Sequence, residues 1–417
     1  MNTAIFIGRR LSLKSESGRA TSPGVVTGII GVALAIVVML IAVSVVNGFK
    51  KEIVDKLSGY NADITVYSPE NAESAQVTSG IRLTDSVRTI VGAVAPSARV
   101  ELIITQPAIF KTDNDFQGLI LKGLQPGQPW EFFASNLVSG SVPDSIGADP
   151  DQVLISSVTA DMLSLHPGDR ITTHFLDNNS VRTRRLTVTG IFDTHFHDYD
   201  KMMAFTPIAM LQKLNRLDSV TGSAIEIRGI AMPEIDPAAD RINQGMLSAT
   251  VENPTNPMIF NVDTIGSTCA QYLNWLDLLD TNVLVIIILM SCVSAFTLIS
   301  GLFIIILERV NTIGILKAIG ATNAQIRRIF IYMAERLVIK GMVIGNALAL
   351  AVILLQRHYH FMRLNPEAYY LNFVPMELDW KPFVIVNVAV VILSALILIL
   401  PSHIIARLSP ATSLRFE

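Results

Sequence analysis

The feature that most constrains the fold of this chain is residues 281–307, a stretch without a single Asp, Glu, Lys or Arg. A helix of about 20 apolar residues crosses the roughly 30 Å hydrocarbon core of a membrane. Three further stretches, at 25–47, 337–355 and 382–406, are similarly apolar. The sequence therefore predicts an α-helical membrane protein with four transmembrane helices.

The segment between the first two of these stretches, residues 48–280, has a different composition. It contains no run that is apolar enough to cross a membrane, and turn residues divide it into short segments. Segments rich in Val, Ile, Thr and Phe predict strands at 63–67, 99–110, 116–122, 153–155, 171–175, 181–191 and 223–227. Helices are expected at 49–57, 157–165 and 207–214. We therefore predict an extracytoplasmic α+β domain, inserted between the first and second transmembrane helices and built on more than one small sheet.

The overall composition agrees with a membrane part joined to a water-exposed domain. Hydrophobic residues make up 50% of the chain, yet 16% of the residues are charged. The net charge of −3 gives no sign of a nucleic-acid-binding surface, so no nucleic-acid partner is expected. The two cysteines, Cys269 and Cys292, lie on different sides of a predicted membrane boundary, so a structural disulfide between them is not expected.

Basic residues predict the orientation of the four helices. They lie before the first helix and again between the second and third, at Arg9, Arg10, Lys14, Arg19, Arg309, Lys317, Arg327, Arg328 and Arg336. The positive-inside rule then puts residues 1–24, 308–336 and 407–417 in the cytoplasm, with 48–280 and 356–381 on the other side. A cleaved signal peptide is the competing interpretation of the first helix. Its apolar run is longer than a signal core, and no small-x-small site follows it.

The segment between the second and third helices, residues 308–336, is termed the elbow below. Its apolar residues Val310, Ile313, Leu316 and Ile319 recur at helical spacing. Gly320 follows at the place of a helix stop, and Thr322 with Gln325 makes a capping box for the next helix. The pattern predicts a short amphipathic helix and a sharp restart. Such a helix either rests on the lipid headgroups or provides a docking surface for a cytoplasmic partner.

The residues of the elbow also carry a family resemblance. The run ERVNTIGILKAIGA at 308–321 resembles the signature ERxxEIGILKAIGA of ABC-transporter permeases of the MacB/FtsX type, among them the LolC/LolE-like lipoprotein-releasing family. Thr312 stands where that family usually has Glu. Looser matches are NGF at 47–49, KGL at 122–124 and VTGIF at 188–192. In the family, this part of the elbow is the coupling helix that contacts the ATPase subunit. The resemblance assigns that role here to Glu308, Arg309, Ile313, Gly314, Leu316, Lys317, Ile319 and Gly320.

The resemblance also implies a function. It indicates the permease subunit of an ABC transporter in the bacterial inner membrane, which extracts lipoproteins from the outer leaflet for delivery to the outer membrane. The chain has no GxxxxGK[ST] motif, so ATP and Mg²⁺ are expected in a separate ATPase chain. The implied partners are ABC ATPase subunits, a second permease copy or paralogue, a lipoprotein, membrane lipids and a periplasmic carrier chaperone. One subunit type catches that carrier with a long hook, and the hairpin tip at 177–182 is too short for one.

The lipoprotein is expected between the outer halves of the first two transmembrane helices. The residues chosen for this cavity are Met39, Val43, Asn47, Val285 and Leu289. A rival function within the same superfamily is a mechanotransmission or efflux permease that acts on an external partner. A rival from another class is a membrane-tethered receptor or scaffold without an ATPase.

One polar cluster resembles a set of metal ligands. His195 and His197 alternate, and Asp198 and Asp200 follow them. Alternate residues of a strand share a face, so the two imidazoles could bind one ion. The order of the residues does not match that of metallohydrolases, and no second ligand cluster stands out. The sequence favours a solvated polar loop without a metal.

Overall fold

The computed structural model describes residues 23–70, 80–144, 150–177, 180–252 and 260–406. The chain divides into two compact units. The helical unit contains Met1–Lys51, Trp275–Arg363 and Phe373–Glu417, and the sheet domain contains Glu52–Asn274 and Leu364–Asn372. The predicted N-cap at Ser22, the hairpin-tip residues 178–179 and the C-terminal residues 407–417 lie outside the described residues.

The elements are numbered in chain order. The helices are α1 (Pro23–Tyr60), α2 (Asp85–Val94), α3 (Gln128–Ser135), α4 (Ser157–Leu163), α5 (His197–Met202), α6 (Ile208–Asn215), α7 (Ile235–Glu252), α8 (Ile265–Thr268), α9 (Ala270–Glu308), α10 (Val310–Ala318), α11 (Asn323–Tyr359), α12 (Pro366–Tyr369) and α13 (Trp380–Ala406). The strands are β1 (Ile64–Tyr67), β2 (Ile81–Arg82), β3 (Arg99–Lys111), β4 (Phe116–Leu124), β5 (Leu137–Gly140), β6 (Gln152–Ser156), β7 (Arg170–Asp177), β8 (Ser180–Phe192), β9 (Met203–Pro207), β10 (Thr221–Gly222), β11 (Ala224–Arg228) and β12 (Asn261–Thr264).

Four helices of the described chain are long and apolar enough to cross a membrane: α1, α9, α11 and α13. The predicted fold class is therefore confirmed. Three of these helices extend well beyond the apolar stretches that predict them. The helix expected at 49–57 is not a separate element, because α1 continues through Asn47 and Gly48 to Tyr60. In the same way, α9 begins at Ala270, before the charge-free stretch.

Small residues let the long helices of the helical unit pack closely. A Cβ atom placed on Gly341 of α11 would lie 2.8 Å from Val32 Cβ of α1, and one on Gly345 would lie 2.8 Å from the Ala33 carbonyl oxygen. Membrane helices associate mainly through such van der Waals contacts, since lipid tails provide no hydrophobic drive between them. The core beside these glycines holds Val32, Ile36, Met39, Leu337 and Val338.

The sheet domain is built on a ten-stranded mixed sheet with the order β12-β1-β11-β3-β4-β9-β6-β8-β5, and β7 pairs with both β3 and β8. A two-stranded sheet, β2 with β10, accompanies it. The domain contains more than one sheet as predicted, but ten of the twelve described strands form one large sheet, because β3 is long enough to join two groups of strands. Residues 99–103 of β3 pair with β11, and residues 104–111 pair with β4. All seven predicted strands are present in the structure.

A buried ion pair lies in the middle of this sheet. Lys122 Nζ on β4 is 2.6 Å from Glu226 Oε1 on β11, and Arg228 donates to Glu226 Oε2 at 2.8 Å. Burial alone would raise the pKa of Glu226, but the charges of Lys122 and Arg228 outweigh it and lower that pKa. For Lys122 burial is the largest effect and lowers its pKa, so the fold stabilises the charged form of Glu226 but not that of Lys122.

We expect Lys122→Met to destabilise the sheet domain strongly. The substitution leaves a buried carboxylate without its main partner, a change that costs about 3–5 kcal/mol. Thermal unfolding of the full chain in detergent measures this loss. Lys111→Met, at the exposed end of β3, is the matched control and should change stability by less than about 0.5 kcal/mol.

The same pair gives a pH dependence with a defined sign. The pKa of Glu226 is lower in the folded state than its ordinary value of 4.5. The stabilisation is therefore complete above pH 4.5 in the parent and is lost as the pH falls further. Lys122→Met should reduce this acid-dependent loss. An identical acid dependence in parent and variant would contradict the assignment.

Candidate functional site

The elbow consists of the short helix α10 between α9 and α11. Arg309 breaks the helix between α9 and α10 with φ −112° and ψ 16°. At the other end of α10, Ala321 N donates to Leu316 O and Gly320 N donates to Lys317 O, at 2.9 and 3.0 Å. This pair of bonds is the Schellman motif, and it requires a left-handed residue, here Gly320 with φ +98°. The predicted helix stop is confirmed.

The restart into α11 also follows the sequence. The Thr322 side chain accepts a hydrogen bond from Gln325 N, and the Gln325 side chain accepts one from Thr322 N at 2.9 Å. These reciprocal bonds satisfy two of the backbone donors that a helix start leaves free. The Schellman motif fixes the start of the turn between α10 and α11, and the capping box fixes its end. The turn therefore has a defined backbone geometry.

The two faces of α10 differ in exposure. Ile313 is only 1% exposed and belongs to the core of the helical unit, and Leu316 packs against that core. Ile315 and Ile319 are 54% and 79% exposed. The spacing argument grouped Ile319 with Ile313, and this is wrong because six residues at about 100° each turn Ile319 to the opposite side of the helix, next to Ile315. Ile315 therefore replaces Ile313 as an outward-facing apolar residue.

The other predicted coupling residues surround this apolar pair. Glu308 is exposed at the end of α9, Gly320 is exposed, and Arg309 and Lys317 are half-buried, whereas Gly314 is buried beside Ile313. Across residues 308–336 the sequence holds basic residues at Arg309, Lys317, Arg327, Arg328 and Arg336, against the acids Glu308 and Glu335. The elbow therefore offers an exposed apolar contact, Ile315 and Ile319, in a basic setting.

The residues predicted to line a substrate cavity do not come together within one chain. Met39 is buried among the helices and lines a small gap with Ser291 and Leu298. Val43 and Asn47 line a separate gap beside Phe383. Val285 and Leu289 lie on an exposed face of α9, which also presents Leu284, Ile288 and Phe296. That face is available to lipid or to a second chain, and a shared cavity remains a prediction.

Residues 195–200, predicted as a solvated polar loop, are mostly buried or half-buried, belong to α5 from His197 onward, and form part of a longer segment, 193–200. Phe196 and Asp200 are completely buried, and Asp200 accepts hydrogen bonds from Tyr60 of α1 and from Thr194 Oγ1. Burial raises the pKa of Asp200. Among the residues that the structure describes, no three His, Cys, Asp or Glu side chains are arranged to hold a metal ion.

This segment joins three parts of the sheet domain. Lys56 of α1 donates to the carbonyl oxygens of Thr194 and Tyr370, at 2.6 and 2.7 Å. Asp198 accepts from the hydroxyl of Tyr272, at the start of α9, at 2.8 Å, and from that of Tyr370 at 3.1 Å. The stretches of α1, α9 and the 364–372 loop that belong to this domain therefore meet on segment 193–200. The alternating histidines in the sequence do not predict that this segment joins other parts of the domain. The aromatic residues beside them are consistent with such packing.

Comparisons with known protein families identify the superfamily. The MacB-like periplasmic core domain matches residues 27–244, more than half of the chain, and the FtsX-like permease C-terminal region matches residues 284–410. This chain is an FtsX/MacB-type permease. The resemblance noted in the elbow is confirmed by matches that cover both the sheet domain and the last three membrane helices. The permease is thus a multi-pass membrane protein with a periplasmic-type domain.

Several relatives are similar over nearly the whole length of this permease. The lipoprotein-releasing system transmembrane protein LolC of Xylella fastidiosa is 24% identical, with 93% of each chain covered. LolC of Neisseria meningitidis is 22% identical over 93% of each chain, and LolE of Haemophilus influenzae is 24% identical over 99% of each. The similarity therefore extends over both the helical unit and the sheet domain of this permease.

Solved structures resemble the inserted domain. The periplasmic region of MacB from Actinobacillus actinomycetemcomitans is 12% identical with a TM-score of 0.32, covering 51% of this chain and 92% of that one. The extracellular domain of the transporter YknZ from Gram-positive bacteria is 12% identical with a TM-score of 0.33, covering 49% of this chain and 100% of that one.

Proposed function

We propose that this permease is the membrane subunit of an ABC transporter that extracts lipoproteins from the outer leaflet of the bacterial inner membrane. ATP and Mg²⁺ are held by a separate ATPase, and this chain supplies no catalytic residue. Both termini and the elbow lie in the cytoplasm, and the sheet domain lies in the periplasm. The full-length similarity to LolC and LolE proteins supports the choice of lipoproteins as substrate.

The observation that carries the ABC assignment is the outward face of α10. Ile315 and Ile319 are exposed although both are apolar, while Ile313 and Leu316 anchor the other side of the helix in the core. A short helix capped at its C-terminal end and buried on one side transmits a push from a partner to α9 and α11. The surrounding Arg309, Lys317 and Arg328 suit a partner surface with acidic residues.

The transported lipoprotein is proposed to contact a second permease copy or paralogue as well as this chain. Val285, Leu289 and the neighbouring exposed residues of α9 give an apolar face for the lipid anchor or for the second permease. That face does not include Met39, Val43 and Asn47, which lie between the helices of the helical unit. In this mechanism ATP binding moves the elbow, α9 follows it, and the cavity between the two permeases closes on the anchor.

Capture of a periplasmic carrier chaperone by the β7–β8 hairpin is not part of the proposal. Asp177 pairs with Ser180, so only residues 178 and 179 separate the two strands. A two-residue tip has no length for a hook. A carrier, if one is used, binds another surface of this chain or the partner permease.

Affinity purification of the tagged chain in detergent tests the proposal. We expect an ABC ATPase and acylated lipoproteins to co-purify with it, and ATP hydrolysis to be measurable in the eluate. Recovery of the ATPase together with a periplasmic adaptor or cell-wall hydrolase, without lipoproteins, would instead support the efflux or mechanotransmission function. A folded chain without any ATPase would favour a membrane-tethered receptor.

A further inference from the structure

The sheet domain contains a cavity of about 620 Å³ that the proposed transport function does not use. Its volume lies within the range of about 300–1,000 Å³ that is typical of small-molecule sites. The cavity is lined on one side by the sheet and on the other by α5, α8 and the start of α9. Asp198 and Met202 on its edge are exposed, so the cavity reaches the surface.

The sheet side of the cavity is one face shared by six strands, β12, β1, β11, β3, β4 and β9. Thr65 of β1 pairs with Glu226 of β11 and with Asp263 of β12, and Thr105 of β3 pairs with Lys122 of β4. Directly opposed residues point to the same side of a sheet. The lining is therefore set by strand register rather than by loops.

Most of the cavity wall is apolar or aromatic. The apolar lining consists of Ile103, Pro107, Ile120, Met202, Met203 and Ala224, and the aromatic lining consists of Tyr67, Tyr199 and Tyr272. Methionine side chains adapt to ligands of varied shape. Tyrosine rings provide both apolar contact and a face that attracts cations.

Two carboxylates are fixed at this wall by tyrosine hydroxyls. Asp263 accepts from Tyr67 at 2.8 Å, and Asp198 accepts from Tyr272 at 2.8 Å. An ionised carboxylate has about four acceptor positions, so each retains positions for a ligand. A phenol that donates to a carboxylate is also more electron-rich, which strengthens the attraction of its ring for a cation.

The charged groups at the floor of the cavity are bound to one another. Of the residues that the structure places around the cavity, Lys122 alone is basic. Its ammonium group donates to Glu226 and, at 2.8 Å, to the Tyr60 carbonyl oxygen. Lys122 is thereby held at the floor in a group with Glu226 and Arg228, whereas Asp198 and Asp263 accept from tyrosine hydroxyls, so the wall that carries them has a negative character.

We propose that this cavity binds a small amphipathic organic cation. The cationic centre lies near Asp198, Asp263 and the tyrosine rings, and the apolar body lies against Met202, Met203 and the strand residues. Since Tyr272 belongs to α9, a bound ligand also contacts a helix that continues into the membrane. The proposal stands independently of whether lipoproteins are the transported substrate.

Tetraphenylphosphonium and tetraphenylborate make a matched pair of probes, since they share size and shape and differ in charge. Equilibrium dialysis of the full chain in detergent, against detergent alone, measures saturable binding and removes partition into micelles. We expect the phosphonium to bind at least tenfold more tightly than the borate. Equal binding of the two ions, or no saturable binding by the folded chain, would overturn the proposal.

Three variants locate the binding in this cavity. Asp198→Asn and Asp263→Asn keep an oxygen that accepts from tyrosine and remove the charge, and each should weaken phosphonium binding by about fivefold. Thr65→Trp fills the cavity from the half-exposed face of β1 and should abolish binding at an unchanged melting temperature. If all three folded variants bind the phosphonium as tightly as the parent does, the ion binds elsewhere and the assignment is refuted.

Discussion

A permease that carries Ile315→Asp together with Ile319→Asp should fold normally and lose its ATPase. Both side chains are exposed, so neither contributes to the core of the helical unit. A hot-spot residue at the centre of an interface costs about 2 kcal/mol or more when it is lost, so losing two of them weakens association by roughly a thousandfold. Co-purification of the ATPase and ATP hydrolysis in the eluate measure the loss.

Two further variants make this result interpretable. Phe116→Asp changes an equally apolar residue in the sheet domain that is 75% exposed, and it should leave ATPase binding unchanged. Ile313→Asp buries a charge in the helical core and should prevent folding, which distinguishes loss of the interface from loss of structure. Wild-type ATPase recovery with the Ile315/Ile319 variant would show that α10 does not contact the ATPase.

Replacing Gly341 or Gly345 of α11 by Leu should disrupt the helical unit. A new Cβ at Gly341 would meet Val32 Cβ at 2.8 Å and the Ile29 carbonyl oxygen at 3.1 Å, and α1 would have to move away. Overpacking of this kind costs about 1–3 kcal/mol or more, and the contacts with backbone atoms put these sites at the upper end. Fluorescence-detected size exclusion after mild heating measures the loss of folded, monodisperse protein.

Gly92→Leu is the control for these substitutions. Gly92 lies in α2, and a Cβ atom there would meet nothing within 4 Å. Because leucine favours the helix more than glycine does, this change should be neutral or stabilising by up to about 1 kcal/mol. Equal tolerance of leucine at Gly341, Gly345 and Gly92 would contradict the close approach of α1 and α11.

The sequence alone predicts the membrane helices and the ends of the elbow for simple physical reasons. A charge-free stretch long enough to cross the bilayer, such as 281–307, has few alternatives in a chain of this composition. Gly320 and the Thr322/Gln325 pair depend only on local backbone geometry, which neighbouring residues determine. The same locality explains why all seven expected strands are present in the structure.

Features that depend on distant residues could not be predicted in the same way. Helical spacing groups Ile313 with Leu316, but it does not reveal which face packs on the other helices, so it does not identify the exposed Ile315. The buried Asp200 is held by Tyr60, which is distant in the sequence, and by Thr194, which lies just outside the histidine motif. The single large sheet follows from the length of β3 and its two sets of partners.

The buried pair Lys122–Glu226 illustrates the same limit. In the sequence, the KGL run at 122–124 is only a family match, whereas in the structure its lysine is an interior residue with a partner more than a hundred residues away. The cavity beside it arises from six strands whose order is not sequential. Spacing along the chain carries no information about such a face until the strand register is known.

The most direct test of the transport function is ATP-driven lipoprotein release by the purified complex. The permease, together with the ATPase and any partner permease that co-purify with it, is reconstituted into liposomes that contain a fluorescent triacylated lipoprotein. The proposal predicts that ATP releases the lipoprotein to a soluble acceptor, and that the Ile315→Asp, Ile319→Asp variant releases none. ATP hydrolysis at the parent rate without any release of lipoprotein would contradict it.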